Sequence, residues 1–414
     1  MKYIMTNFKK QLLSVVATSA VLLNIAAPIA FASTTITISG NGEQSNNSTA
    51  VTQANTTTVQ QSNTATVNNT VNANAESGDN SASGNTGGNV LVKSGASTVD
   101  STVTNALNSN AAQVNCNCGT GSTDLSVTGN GEKSDNELAL TQEHTNTLAQ
   151  QNSANVNNDV NAKANSGDNS AVSNTGGHTT VISGDASTTS DVKTTANANV
   201  AMIGGAGEGA NGMVSASIDK NGENSDNSVA LTLANTNSIW QINNATVDND
   251  VTAKAESGDN NANGNTGGNV GVGSGDATVN SMIDNTVNFN SADLNCGCVT
   301  DLAADVTGNG ENSDNSLGAT LSSDNGVFQG GEGKGNNANL DNTVTPKADS
   351  GDNSAVSNTG GTLGGDPMVI SGDAGSTSSV NNSGNVNTFG SPLTLPGGFD
   401  FNFSFDFSSL FASL

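Results

Sequence analysis

The segment ATVNNTVNANA, residues 65–75, decides the fold of this chain. Small apolar residues occupy every second position, and polar residues stand between them. A period of two predicts a β-strand with one buried face. The same alternation returns at residues 154–164 and 245–255, so the strand belongs to a repeat.

An asparagine interrupts the apolar face of this strand at Asn69, and its counterparts are Asn158, Asn249 and Asn342. A single buried carboxamide is costly to desolvate. Identical carboxamides stacked along one axis can instead hydrogen-bond to each other. The four residues are therefore predicted to form a structural ladder.

Two phrases mark the repeat. Asn-Gly-Glu begins at residues 41, 130, 221 and 309, and Ser-Gly-Asp-Asn begins at residues 77, 166, 257 and 350. A chain that repeats in this way is a stack of similar units, each burying an apolar face against its neighbours. The predicted fold is all-β, a β-solenoid (β-helix) of four units of about 90 residues.

A shorter step suggests a finer division. A second Ser-Gly turn stands at Ser94, Ser183 and Ser274, 17 residues after the first. This spacing predicts about five rungs of about 18 residues in each unit, and about twenty rungs would form a rod about 90–100 Å long at a strand spacing of about 4.8 Å.

The composition predicts three segments. Residues 1–32 have a basic start, an apolar stretch and the pattern Ala30-Phe31-Ala32, which is typical of a secretory signal peptide. Residues 33–387 form the solenoid, with units at about 37–126, 127–217, 218–305 and 306–387. Residues 388–414 form a Pro/Gly hinge and a Phe-rich strand. We expect an extracellular, cell-surface protein with no transmembrane span in the mature chain.

The charge balance excludes some partners. Loss of the leader removes three lysines and no acidic residue, which changes the formal charge from −26 to −29. Nucleic acid is excluded as a partner, because phosphate binding needs clusters of Lys and Arg. Cations are the natural counter-species, although an acidic surface also keeps an exported protein soluble.

No cofactor is predicted, with one open question. The Gly-Asp-Asn turns present carboxylates at Asp79, Asp168, Asp259 and Asp352, and calcium prefers such oxygen ligands. Aspartate and asparagine are also ordinary turn residues, so both interpretations stand. A catalytic role is not expected, because the two histidines occur once each and the eight mature lysines are scattered.

Four cysteines form two close pairs, Cys116 with Cys118 and Cys296 with Cys298. If ten rungs separated the pairs, they would lie about 48 Å apart at the strand spacing, whereas disulfide Cα atoms lie within about 7 Å. Bonds within each pair, bonds to another chain, or reduced thiols are the alternatives. Metal binding is the weakest of them, because neither histidine is adjacent to a pair.

The C-terminal strand has one aromatic face, made by Phe399, Phe401, Phe403, Phe405 and Phe407, with Phe411 beyond it. Left uncovered, such a face would aggregate. The strand is predicted to cap its own solenoid, to add to the next subunit, or to dock on the cell envelope.

The phrases Gly-Asp-Asn-x-Ala and Gln-x-Asn-x-Ala (residues 61–65 and 241–245) resemble loose curlin repeats. The wider text is similar to repetitive surface proteins of bacteria. This resemblance implies an extracellular fibre subunit, adhesin or biofilm matrix component that associates with itself or with the cell surface. The alternatives are a module that binds an ordered ligand, glycan or ice, and a polysaccharide-active enzyme. The sequence places no Thr-x-Thr pair in one register across all four units, which counts against ice.

Overall fold

The chain is described by a computed structural model at residues 11–18, 21–25, 34–114, 122–204, 213–295, 301–330, 335–360 and 367–390. All regular elements in these ranges are β-strands, and none is a helix. The strands stack in parallel into several sheets. The predicted all-β solenoid is confirmed.

The strands fall into a short leader and four rungs. The leader contains β1 (Gln11–Thr18) and β2 (Val21–Ile25). The first rung contains β3 (Thr34–Ser39), β4 (Asn46–Glu76), β5 (Ser81–Ser83), β6 (Val90–Lys93) and β7 (Ser97–Val114). The second contains β8 (Thr123–Thr128), β9 (Asp135–Asn165), β10 (Ser170–Val172), β11 (Thr179–Ile182) and β12 (Ala186–Gly204). The third contains β13 (Met213–Asp219), β14 (Asp226–Glu256), β15 (Asn261–Asn263), β16 (Val270–Gly273) and β17 (Ala277–Asn295). The fourth contains β18 (Asp301–Thr307), β19 (Asp314–Gln329), β20 (Asn337–Asp349), β21 (Ser354–Val356), β22 (Met368–Ile370) and β23 (Ala374–Phe389).

One repeat unit is one rung, so the predicted division into rungs of about 18 residues is wrong. Ala65 pairs with Ala154, 89 residues later, and Ala154 pairs with Ala245. Each strand therefore pairs with its counterpart in the next unit. The first strands of the rungs begin three to five residues before the predicted unit boundaries.

The repeated serines mark two sides of one turn region. The Ser77 hydroxyl donates to the Gly95 carbonyl at 2.9 Å, and Ser94 donates to the Ser166 carbonyl at 2.5 Å. The two Ser-Gly turns thus face each other where the rung doubles back through β5 and β6. Their spacing of 17 residues measures the path around this tip, and it is not a stacking period.

Each rung is a flattened coil with two main layers. The long sheet consists of β4, β9, β14 and β19 with β20, and the return sheet consists of β7, β12, β17 and β23. Val71 of the long sheet packs near Val103 of the return sheet, and Val59 packs near Val114. The two sheets therefore run in opposite directions across the core. The start sheet of β3, β8, β13 and β18 covers the beginning of the long sheet.

The dimensions differ from the predicted rod. A strand of 31 residues such as β4 is about 100 Å long at about 3.3 Å per residue. Four rungs span only about 14 Å along the stacking axis at about 4.8 Å per step. The length that the sequence predicts along the stack lies across it instead.

The leader strands extend the return sheet by one position. Strand β1 pairs in parallel with β7 from Gln11 opposite Val99, and β2 pairs with β7 from Val21 opposite Ser109. In the described part of the chain, the outer edges of β3, β4, β5 and β6 pair with no strand.

Candidate assembly interface

Asparagine ladders run through the core along the stacking axis. Asn69 donates through Nδ2 to Asn158 Oδ1 at 2.7 Å, Asn158 donates to Asn249 at 2.6 Å, and Asn249 donates to Asn342 at 2.7 Å. Asn158 and Asn249 have no exposed surface. These bonds are the ladder that the alternating strand predicts, with one asparagine per rung.

The return sheet supplies a second column that bonds to the first. Asn69 Nδ2 donates to Asn105 Oδ1 at 2.9 Å, and Asn105 Nδ2 donates to Asn158 Oδ1 at 3.0 Å. In the third and fourth rungs, Asn285 Nδ2 donates to Asn342 Oδ1 at 3.0 Å. The carboxamides therefore join the two sheets as well as the rungs, which satisfies polar groups that apolar neighbours would otherwise strand.

Sequence reasoning missed a further double ladder nearer the middle of the long strand. Asn63 donates to Asn110 at 2.8 Å, and Asn110 donates to Asn199 in the next rung at 3.0 Å. Beside it, Gln150 Nε2 donates to Gln61 Oε1 at 2.8 Å. The signal was the identity of residues one unit apart, which the assumed 18-residue rung concealed.

Turn asparagines form ladders of the same kind. Asn41 donates to Asn130 at 2.8 Å, and Asn80 donates to Asn169 at 2.9 Å. Asn85 donates to Asn174 at 2.8 Å. Because these bonds pass from each rung to the next, every ladder reaches a last member at each end of the stack.

The fourth rung leaves the apolar core uncovered at one end. Ile218 and Ile283 are fully buried in the third rung, whereas their counterparts Val306 and Val380 are 46% and 47% exposed. Phe389 is 59% exposed, although it shares a column with the buried Ala292. Such an apolar end normally marks a contact with another surface.

A groove at this end adds to the uncovered surface. It is lined by Leu294, Asn325, Val327, Gln329 and Phe389. Close by along β19, the ring of Phe328 stacks on Trp240 with centroids 4.1 Å apart. Pro346 also lies in this last rung, opposite Ala253, and proline suits an edge strand because it cannot donate to a further rung.

The four turn aspartates stack in one column on the surface. Asp79, Asp168 and Asp259 have left-handed backbone conformations with φ of 61°, 59° and 62°, and the Asp352 backbone N–H donates to Asp259 Oδ1 at 3.0 Å. Within the described ranges, no group of three or more His, Cys, Asp or Glu side chains could hold a metal ion. Calcium binding stays a prediction.

The remaining charged candidates have surface or structural surroundings. Lys163 and Lys254 both form ion pairs with Glu256, the former at 3.6 Å. His178 Nδ1 accepts the Asn269 backbone N–H at 3.0 Å. Burial lowers the pKa of His144 below its usual 6.5.

Both cysteine pairs and the Phe-rich strand lie outside the described residues. The strands that precede the cysteines, β7 and β17, both pair with β12. They are two rungs apart, about 10 Å at the strand spacing, so the expected separation of about 48 Å is wrong. Distance along the stack therefore does not exclude a bond between the two pairs. Phe399, Phe401, Phe403, Phe405, Phe407 and Phe411 keep their predicted role only as a prediction.

The outer face of the long sheet carries threonine columns. Thr52, Thr141, Thr232 and Thr320 are paired neighbours across all four rungs. Thr56 and Thr58 pair with Thr145 and Thr147, so the first two rungs keep a Thr-x-Thr pair in register. The third rung continues it as Thr236 and Ser238, which corrects part of the register argument against an ordered ligand.

Comparisons with known proteins identify no relative. No family model, no curated protein and no solved structure matches this chain. Among the described residues, no helix is long and apolar enough to cross a membrane.

Proposed function

We propose that this chain is a secreted, cell-surface structural protein that builds a fibre by stacking the first rung of one copy on the fourth rung of another. The observation that carries this proposal is the uncovered core cross-section of the fourth rung. A second rung of the same pattern would bury that surface. Roles as an adhesin or biofilm matrix component follow from such a fibre.

The two ends of the stack carry the same residues in the same columns. Nine asparagine columns have an asparagine in both end rungs. They are Asn41 and Asn309, Asn47 and Asn315, Asn63 and Asn336, Asn69 and Asn342, Asn80 and Asn353, Asn85 and Asn358, Asn105 and Asn382, Asn108 and Asn385, and Asn110 and Asn387. A stacked copy would therefore extend each ladder by the hydrogen bond that already joins the rungs within one chain.

Stacking of this kind joins two different surfaces, so it does not close on itself. A heterologous contact of unlike ends generates an open filament. Each copy would add four rungs, or about 19 Å along the fibre axis at about 4.8 Å per rung. The fibre would be a ribbon about 100 Å wide, the length of a 31-residue strand at about 3.3 Å per residue.

Charge opposes this association. Glu43 of one copy would lie beside Glu311 of the next, because both belong to the column of the Asn-Gly-Glu turn. The predicted mature charge adds a general repulsion. Assembly should therefore accelerate when salt screens the carboxylates.

The C-terminal Phe-rich strand has a place in this proposal as an additional joining or anchoring element. The chain leaves the last rung at Gly390, next to the exposed Phe389. The following residues could cover the open rung of their own copy or reach a neighbour.

A glycine in the first rung provides a sharp test. A Cβ at Gly131 would meet the Gly42 carbonyl carbon at 2.5 Å, so side chains in this column point towards the preceding rung. A Cβ at Gly42 meets nothing within 4 Å. In a fibre it would meet the fourth rung of the next copy.

Gly42→Ala should therefore fold normally and fail to assemble. Gly271→Ala is the matched control, because its Cβ also meets nothing within 4 Å and it lies on an inner rung. Both variants of the chain beginning at Ser33 would be followed by light scattering and electron microscopy, with circular dichroism as the folding check. Normal filaments from Gly42→Ala, or no filaments from the unsubstituted chain, would contradict the proposal.

A second candidate function is binding of an ordered ligand, and the threonine columns favour it. Their hydroxyl and methyl groups repeat at the strand spacing on a flat face, which suits a regular surface such as ice or a crystalline glycan. Thr141→Lys with Thr145→Lys would disrupt the centre of the array. Equal thermal hysteresis and equal glycan retention in both proteins, or neither activity in the unsubstituted one, would contradict this function.

A further inference from the structure

We propose that the leader, residues 1–32, acts as a surrogate rung strand that keeps the first rung closed to a second copy until the leader is removed. This inference rests on the proposed stacking function. It assigns the leader a role in controlling assembly, in addition to its predicted role in export.

The leader occupies the position that the next copy would need. Gln11 lies opposite Val99 of β7. Following the same column through the inner rungs leads to Ser376 of β23 in the fourth rung. In a fibre, Ser376 of the neighbouring copy would take the place of Gln11, in the same parallel direction.

The second leader strand continues in the same register. Val21 lies opposite Ser109, and that column ends at Val386 in the fourth rung. Leader and incoming strand therefore compete for the same backbone edge along nearly the whole of β7.

The interruption of the leader also matches the rungs. Strand β1 ends opposite Ala106, and β2 begins opposite Ser109. Between these positions stands Asn108, whose φ is 54°, and its counterparts Asn197 and Asn288 have φ of 64° and 61°. The leader breaks where every return strand has a local irregularity, as a genuine rung strand would.

Burial at the two ends of the stack differs accordingly. Val103 of β7 is fully buried, whereas Val380 in the same column of the fourth rung is 47% exposed. Among the described strands, only β1 and β2 pair with the outer side of β7. Their presence accounts for a covered return sheet at the first rung and an open one at the fourth.

A block on one sheet is sufficient to block the whole rung. Strand β23 follows β18–β22 on the same rung, and all of them are held in register by their inner neighbours. An incoming copy cannot shift β23 aside without leaving the other columns. The leader therefore needs to cover only the return sheet.

The test compares three full-length proteins that retain the leader with the chain beginning at Ser33. The first has the natural leader. The second carries Ser14→Pro with Val15→Pro: N–H groups of successive strand residues point to opposite edges, so one substitution removes a donor aimed at β7. The third carries Ser14→Thr with Val15→Thr, which keeps both donors and suits a strand.

We expect filaments from the chain beginning at Ser33 and from the proline variant, and none from the natural or threonine leader. Substoichiometric addition of the natural full-length protein should also stop growth at one filament end. Assembly of the natural full-length protein at the rate of the shortened chain would overturn the inference. So would continued inhibition by the proline variant.

Hydrogen exchange separates this inference from the proposed function. Amides of β7 between Val99 and Gln113 should exchange slowly in monomeric full-length protein and faster in the monomeric chain beginning at Ser33. Equal exchange would show that the leader does not pair with β7, whether or not filaments form. Absence of filaments from every protein, together with protected β7 amides, would instead reject stacking and the blocking role while leaving the pairing intact.

Discussion

Replacing Asn158 with alanine tests whether carboxamide ladders hold the core together. Asn158 accepts hydrogen bonds from Asn69 at 2.7 Å and Asn105 at 3.0 Å, and donates one to Asn249 at 2.6 Å. Its side chain is fully buried. Losing three bonds at about 1 kcal/mol each, and leaving a buried Asn249 oxygen without this donor, should lower the free energy of unfolding by about 4–5 kcal/mol.

Asn342→Ala is the matched control. Asn342 also makes three such bonds, accepting from Asn249 at 2.7 Å and Asn285 at 3.0 Å and donating to Asn382 at 3.4 Å. It lies in the open fourth rung and is only partly buried, so water can replace the lost partners. The expected loss is about 1 kcal/mol.

Urea denaturation of the monomeric chain, followed by far-ultraviolet circular dichroism, measures both variants. Stability in a repeat stack is a sum of rung terms and interfaces between neighbours, so an inner rung should be the more sensitive one. If the two variants differ by less than about 1 kcal/mol, burial of the ladder does not determine its strength, and the reasoning fails.

Two further predictions concern a close backbone contact and a buried imidazole. A Cβ at Gly167 would meet the Gly258 carbonyl oxygen at 1.7 Å; Gly167→Ala should therefore lower the melting temperature strongly by calorimetry, whereas Gly318→Ala, with nothing within 4 Å, should leave it nearly unchanged. Because burial lowers the pKa of His144 below 6.5, the unfolded chain binds a proton more readily than the folded one, and stability is lost as pH falls through 6.5 towards the folded-state pKa. His144→Asn, the residue type of the neighbouring positions Asn55 and Asn235, should remove this part of the pH dependence in parallel urea titrations; an unchanged difference in stability between pH 7 and pH 5 would contradict the assignment.

Much of the fold could be predicted because identical residues recur in register. The alternation around Asn69 indicates a buried strand face, and the four equivalent asparagines indicate a ladder along one axis. The spacing of that ladder already implied a rung of about 90 residues, the length of one repeat. Ordinary strands contain about 3–10 residues, which made the shorter 17-residue spacing look like the rung.

The length of the long strand could not be predicted for a physical reason. Polar residues such as Gln61 and Asn63 point inward on β4, and polarity on the inner face resembles a break between strands. They are compatible with burial only because identical residues stand above them and asparagines of the return sheet stand opposite, as in the 2.8 Å bond from Asn63 to Asn110. That pairing depends on the tertiary fold.

The open ends of the stack could not be identified from the sequence either. Val380 differs little in type from Val103, and only the stacking order makes one exposed and the other buried. The pairing of the leader with β7 was equally hidden, because its apolar residues are also what a signal peptide requires.

The long strands give this protein a strong mechanical direction. Strands β4 and β9 are paired along all 31 of their positions, so traction that slides one past the other must rupture many hydrogen bonds simultaneously. Traction that peels a rung from the stack would break them one after another at far lower force. A ribbon of such subunits should consequently resist shear across its width and yield by unzipping at its growing ends.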